Sequence, residues 1–269
     1  MLFRSGKVSA DLEIKDKYST IVFNDTRKVK ANLYNSKLNG NNAGDINIES
    51  KYSRISFASC GLLYVNGYND KYEIPKTGNV TFTAKYSDLY TSSSGNMRIN
   101  IYNGSIVTNN AVDVEIISKY AEYRFESAER CKVSSSYNDN FTAGGLISMS
   151  IDESKYSNYK IDGLGESVDD RNGYSDSFVI TVLENSFKGL VLNGKYGKAT
   201  LSIPKNISFR FKASIKYPEF DINEQTFKPI VKIIDGSDVK YDAIKGTESD
   251  GMPVIEVNGY SMTLKILEM

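Results

Sequence analysis

An apolar residue suited to a β-strand recurs every 17 positions along the first half of the chain, at Leu12, Val29, Ile46, Leu63, Val80, Met97, Val114 and Cys131, with Ile147 following one residue early. Around most of these positions apolar and polar side chains alternate. Ile46, Ile48, Ser50 and Tyr52 share one face, as do Val80, Phe82, Ala84 and Tyr86, while Asn47, Glu49 and Lys51 share the other. A period of two is the signature of a half-buried strand. Runs at i, i+3, i+4 are brief throughout, so the pattern predicts an all-β chain.

Tyrosines keep the same beat in two alternating forms. One is Lys-Tyr-(Ser/Ala/Gly), at Tyr18, Tyr52, Tyr86, Tyr120, Tyr156 and Tyr196; the other opens Tyr-Asn, at Tyr34, Tyr68, Tyr102 and Tyr137. The true unit is therefore about 34 residues, made of two similar halves. A second short strand follows each corner, with Ile21 and Phe23, Ile55 and Phe57, or Tyr159 and Ile161 three and five residues after the tyrosine.

Seventeen residues trace a contour of about 56 Å, enough for one coil of a solenoid with two or three short strands. Coils of constant length favour parallel in-register stacking, in which like residues form ladders. The alternative is an antiparallel meander of repeated hairpins, which six Asn-Gly pairs beginning at Asn39, Asn66, Asn103, Asn172, Asn193 and Asn258 would suit as turns. An outer-membrane barrel fits less well, because the strand runs are short and their outward positions carry Lys, Glu, Asn and Arg.

The expected organisation is a single elongated domain over residues 1–269. Regular coils occupy about 11–162, and an inserted loop rich in Gly, Ser and Asp occupies 163–177. Less regular coils and a cap fill 178–269, with the tail VIEVNGYSMTLKIL, residues 254–267, as the end cap.

Composition narrows the chemistry. Lys plus Arg equals Asp plus Glu at 33 each, so no global field favours nucleic acid. The chain has no histidine, which excludes a Ser-His-Asp triad, a Cys-His dyad and any imidazole metal site. Its two cysteines, Cys60 and Cys131, are too few for a disulfide framework. As a solenoid the chain would hold them about four coils apart, roughly 19 Å, beyond disulfide reach. No cofactor and no metal are expected. No window approaches the length of a membrane helix.

The corners SKYSRISF, AKYSDLY, SKYSNYKI and LNGKYGKATLSI carry a family resemblance. The chain resembles the adhesin-like β-solenoid proteins of Gram-negative bacteria, related to the putative auto-transporter adhesin (head GIN domain) group, over roughly residues 11–217 and 254–267. The resemblance implies a right-handed parallel β-solenoid, export from the cytoplasm, and a non-enzymatic surface or periplasmic role. Because MLFRSGKVSAD is too weakly apolar for a secretory signal, the chain is expected to be a mature or trimmed form.

Parity divides the tyrosines. The Lys-Tyr set shares the phase of the apolar residues and reads as inward or corner pegs, so Tyr52, Tyr86 and Tyr120 are expected to be mostly buried. Tyr34, Tyr68 and Tyr102 fall on the opposite parity and are expected to form a separate exposed column, spaced at roughly 10 Å, able to meet sugar rings or a partner chain. For an enzyme the best local cluster is Asp169, Asp170 and Arg171, whose ordinary reading is a solvated loop. The first expectation is thus an extracytoplasmic scaffold presenting its faces to a glycan, a surface protein or the cell envelope. A carbohydrate-active β-helix enzyme and a spacer without a ligand are the alternatives.

Overall fold

A computed structural model describes residues 2–5 as backbone and residues 11–269 in full. The contacts of the chain gather into two units, residues 1–128 and 129–269, where the sequence suggests one domain. Both are parallel β-solenoid, and no α-helix occurs among the described residues.

In the first unit the 17-residue beat becomes a stack. Leu12 pairs with Val29, Val29 with Ile46, Ile46 with Leu63, Leu63 with Val80 and Val80 with Met97, all in parallel register. The short strands after each corner do the same, aligning Ile21, Leu38, Ile55, Tyr72, Leu89 and Ile106. Parallel register throughout rules out the meander. Both columns point into the coil; Leu38, Ile55 and Ile106 are completely buried. Each such side chain contributes about 1.5–3 kcal/mol by leaving water.

Two ladders explain how identical coils fit at one strand spacing. Gly44, Gly61, Gly78 and Gly95 recur at 17 residues, and a Cβ on Gly61 would lie 2.4 Å from the Gly44 carbonyl oxygen. A Cβ on Gly78 would lie as close to the Gly61 oxygen, so backbone meets backbone here and only glycine fits. At the principal corner one residue per coil takes the left-handed conformation. Tyr18, Asn35, Tyr52, Asn69, Tyr86, Asn103 and Tyr120 all have φ between 49° and 62°. The spacing of 17 is unbroken across these seven.

The second unit keeps the same corner with longer coils, at Asn138, Tyr156, Ser175 and Tyr196. The longer coil shifts the phase: Ile147 is exposed, and Leu146 and Met149 are the buried residues there.

Residues 163–177 are not an inserted loop. Strand Asn158–Tyr174 runs through them and pairs in parallel on both sides, Val168 with Met149 and with Leu190. Its glycines serve packing: Gly163 lies beside Gly145, and Arg171 and Asn172 form a bulge between Asp170 and Gly173.

The tail is not the end cap either. Strand Val254–Tyr260 inserts between Gly189–Lys195 and Phe209–Lys216, in parallel with both. Thr263–Glu268 likewise lies between Lys198–Ile203 and Glu219–Asp221. The chain leaves a rung vacant after Ile203, builds the next coil at 209–221, and returns to fill the gap. The cap is instead the antiparallel hairpin of Phe227–Asp235 and Asp238–Lys245, which docks antiparallel on Phe209–Lys216. Arg210 Nε and Nη2 donate to the two Asp242 carboxylate oxygens at 2.8 and 2.6 Å across this junction.

Candidate functional site

The two forms of tyrosine corner do not make two columns. In the first unit Tyr18, Tyr34, Tyr52, Tyr68, Tyr86, Tyr102 and Tyr120 form one external ladder, with successive ring centroids 5.5–5.7 Å apart and planes inclined by 76–81°. In the second unit Tyr137, Tyr156, Tyr174, Tyr196, Tyr260 and Tyr217 follow in the same way at 5.4–5.7 Å.

The expected burial is reversed. Tyr52, Tyr86 and Tyr120 are 42–45% exposed, whereas Tyr34 and Tyr102 are each 37% exposed and Tyr68 is half-buried. The alternation of inward and outward side chains holds as far as Lys51 and then fails. Tyr52 has φ 57°, so the chain turns at that residue and its side chain leaves the alternation that keeps Ile46 and Ile48 inside.

The alternation itself has a physical cause. Lys51 is in register with Tyr34 and Tyr68, so Tyr34 and Tyr68 stand one position before the left-handed corner, while Tyr52 occupies the corner itself. Tyrosines at identical positions would meet face to face at one strand spacing of about 4.8 Å. Displacing every second one by a residue turns its ring and gives the edge-to-face contact that aromatic quadrupoles prefer. A bulky residue at positive φ costs about 1–2 kcal/mol, and two ring contacts at about 0.5–1.5 kcal/mol each offset it.

Shallow grooves flank the ridge in the first unit. The larger, about 720 Å³, runs between the column of Lys17, Tyr34, Lys51, Tyr68, Lys85 and Tyr102 and the column of Asn32, Glu49, Asn66, Thr83 and Asn100. The smaller, about 400 Å³, lies on the other side and is edged by Lys37, Arg54, Lys71 and Asp88. Tyr34, Tyr68 and Tyr102 all line the larger groove.

Under the ridge a polar ladder holds the corners in place. The Ser36 backbone N–H donates to Ser53 Oγ, that of Ser53 to Asp70 Oδ1 and that of Asp70 to Ser87 Oγ, at 3.2, 2.6 and 3.0 Å. Asp70 also accepts from Ser50 Oγ, the Tyr68 N–H and the Tyr72 hydroxyl. Burial raises its pKa, and these hydrogen bonds oppose the rise. The second unit repeats the device, with the Asp139 N–H donating to Ser157 Oγ and the Ser157 N–H to Asp176 Oδ1.

The acidic cluster is split by its strand. Asp169 and Arg171 point outward, where Arg171 bonds Asp169 Oδ2 at 3.1 Å and Asp152 Oδ1 at 3.0 Å. Asp170 points inward and is 2% exposed, and its Oδ1 has no hydrogen-bond partner. Desolvation first, and then the nearby Asp176 carboxylate, push Asp170 up to about 8; desolvation pushes Asp176 up to about 6. Sequence reasoning saw a solvated loop and missed this pair. The signal was the alternation Leu164, Val168, Asp170, which puts a carboxyl on the core face.

Cys60 and Cys131 are both free and buried, and burial pushes each thiol up to about 12. They are inert packing groups. Among the described residues no cluster of three or more Cys, Asp and Glu side chains could hold a metal ion, and no helix is long and apolar enough to cross a membrane. No family model, curated protein or solved structure matches the chain. Its class rests on its own geometry: a repeat β-solenoid with an external aromatic ladder.

Proposed function

We propose that this protein is a non-enzymatic scaffold in the manner of the adhesin-like β-solenoids, acting outside the cytoplasm and presenting its outer faces to a glycan, a surface protein or the cell envelope. The observation that carries the reading is the tyrosine ridge, whose rings stand half-exposed in regular series beside open grooves. The core is already complete beneath it, filled by aliphatic columns and the Ser/Asp ladder. Repeated aromatic faces at constant pitch suit a ligand that is itself extended and repetitive. The extracytoplasmic address rests on the resemblance of the Lys-Tyr-Ser corners.

The groove chemistry supports a binding role over an enzymatic one. Cleavage of a glycoside uses two carboxyl groups within about 10 Å, and the larger groove is lined by a single carboxylate, Glu49. In the smaller groove Asp70 is buried and consumed by four hydrogen bonds, and Asp88 on its edge accepts from the Ser105 N–H and hydroxyl. Glycan-array and envelope-binding measurements on the wild type and a Tyr34/Tyr68/Tyr102→Ala variant test the reading. Binding that is lost in a variant that still folds supports it. Unchanged binding removes the ridge, and turnover of a bound glycan removes the non-enzymatic assignment.

A further inference from the structure

The lysines of the larger groove lack ion-pair partners among the described residues. Lys17, Lys51 and Lys85, which project into the larger groove, make no ion pair among the described residues. Elsewhere in the same unit Arg27 pairs with Asp11, Lys28 with Asp45 and Arg98 with Glu115. In a chain of zero net charge, three outward lysines without ion pairs on alternate coils make a local positive row.

The row has a pitch. Lys17 is in register with Tyr34, Tyr34 with Lys51, Lys51 with Tyr68 and Tyr68 with Lys85, so a lysine recurs every second coil, about 9.6 Å apart. On the coils between, each tyrosine has an asparagine two residues before it on the same outer face: Asn32 with Tyr34, Asn66 with Tyr68 and Asn100 with Tyr102. The Asn66 and Asn100 amides make no hydrogen bond of their own among the described residues. The groove therefore repeats an aromatic ring plus an amide on one coil and an ammonium without an ion pair on the next, and its one carboxylate, Glu49, accepts from the Asn32 amide at 3.3 Å.

Resting on the reading of the ridge as a glycan-facing surface, we propose that this groove binds a linear anionic polysaccharide with one carboxylate per disaccharide. The polymer lies along the stacking direction, its acid groups at Lys17, Lys51 and Lys85, its alternate sugar rings against Tyr34, Tyr68 and Tyr102. An extended β-linked disaccharide is close in length to two coils, so charge and ring stay in phase over the whole groove. Other polyanions fall out of phase. A stacked nucleic acid strand carries a charge about every 3.4 Å, roughly three for each lysine of the row. An extended acidic peptide repeats its same-face side chains about every 6.6 Å, which beats against the two-coil pitch.

The test is calorimetric titration of the full chain with a polymer alternating glucuronate and N-acetylglucosamine, in parallel with a neutral β-linked glucan, polyglutamate and single-stranded DNA at one salt concentration. The glucuronate polymer should bind most tightly and weaken as salt rises. A Lys17/Lys51/Lys85→Gln variant should lose about tenfold or more in affinity with an unchanged melting temperature. Equal binding by that variant, tighter binding of DNA or polyglutamate, or no binding to any of the four overturns the proposal. Preference for the neutral glucan overturns it too but leaves the glycan-facing reading in place. Depolymerisation of either glycan during the titration overturns that reading itself.

Discussion

Tyr52 and Tyr68 lie on adjacent coils with ring centroids 5.6 Å apart and planes at 76°, although they occupy different positions of the repeat. Tyr52 sits at the left-handed corner, φ 57°, and Tyr68 one residue before the equivalent corner at Asn69, φ 56°. Tyr52 therefore balances backbone strain against its two ring contacts, with Tyr34 and Tyr68. Tyr52→Asn loses two ring contacts worth about 1–3 kcal/mol but relieves the strain that they offset, so its net cost should be small, about 1 kcal/mol. Tyr52→Val loses the same contacts and keeps the strain, so it should be less stable than the Asn variant by about 1–2 kcal/mol. Denaturant unfolding of the two variants checks the order, and a Val variant as stable as the Asn variant would show that the corner is unstrained.

The inward carboxyl of Asp170 makes the second unit lose stability as pH rises from about 4 to about 8. Its folded pKa is raised to about 8 from the ordinary carboxylate value of 3.8, so the native state holds a proton that the unfolded chain has released. Stability is full below about pH 4, falls as pH rises through the window to about 8, and is flat above it. Asp176, pushed up to about 6, adds a loss of the same sign within that window. Asp170→Asn should flatten the decline and leave the variant more stable than wild type at pH 8, by an amount on the order of a few kcal/mol. Asp242, held low by Arg210, has the opposite sign at acid pH, so the difference between the two proteins is the quantity to read. Melting curves at pH 5 and pH 8 measure it, and parallel pH profiles would refute the assignment.

Gly61 sits at a close backbone contact between coils. A methyl group there would press on the Gly44 carbonyl oxygen at 2.4 Å, and the backbone cannot retreat without breaking register on both sides. Gly61→Ala should destabilise the first unit by about 1–3 kcal/mol, the usual scale of overpacking. Hydrogen exchange should locate the damage in strands Asn42–Lys51 and Ser59–Tyr68. Protection unchanged in both would mean that the coils can part at no cost.

What the sequence displayed depended on which residues repeat. The in-register columns were legible because Leu12 to Met97 keep one interval, and parallel stacking enforces it. The glycine ladder at 44, 61, 78 and 95 keeps the same interval and was equally readable, but an apolar search passes over residues without side chains. Tyrosine burial was misjudged because period two assumes extended backbone, and Tyr52 and its equivalents do not have it. The strand at 158–174 was hidden because its Gly and Asp residues are chosen by contacts with neighbouring coils, such as Gly163 beside Gly145, rather than by local propensity.

The displaced tail was written in the alternation of corners. In chain order Tyr196 and Tyr217 are two Lys-Tyr corners in succession, which breaks the rule; in space Tyr260, a Tyr-Ser corner, stands between them at 5.4 Å from each. Filling that rung makes the tail interior, with Ile255 and Leu264 completely buried. Leu264→Ala should therefore cost about 2–5 kcal/mol, as for a central core position. Removal of residues 254–269 should do more. It takes away the parallel neighbour of both Gly189–Lys195 and Phe209–Lys216, so protection from hydrogen exchange should collapse in residues 209–245, upstream of the cut, while strand Asn140–Ile151 keeps its own. A tail that merely covered the end would give the reverse, with residues 209–245 protected as before and the loss confined to its own single neighbour.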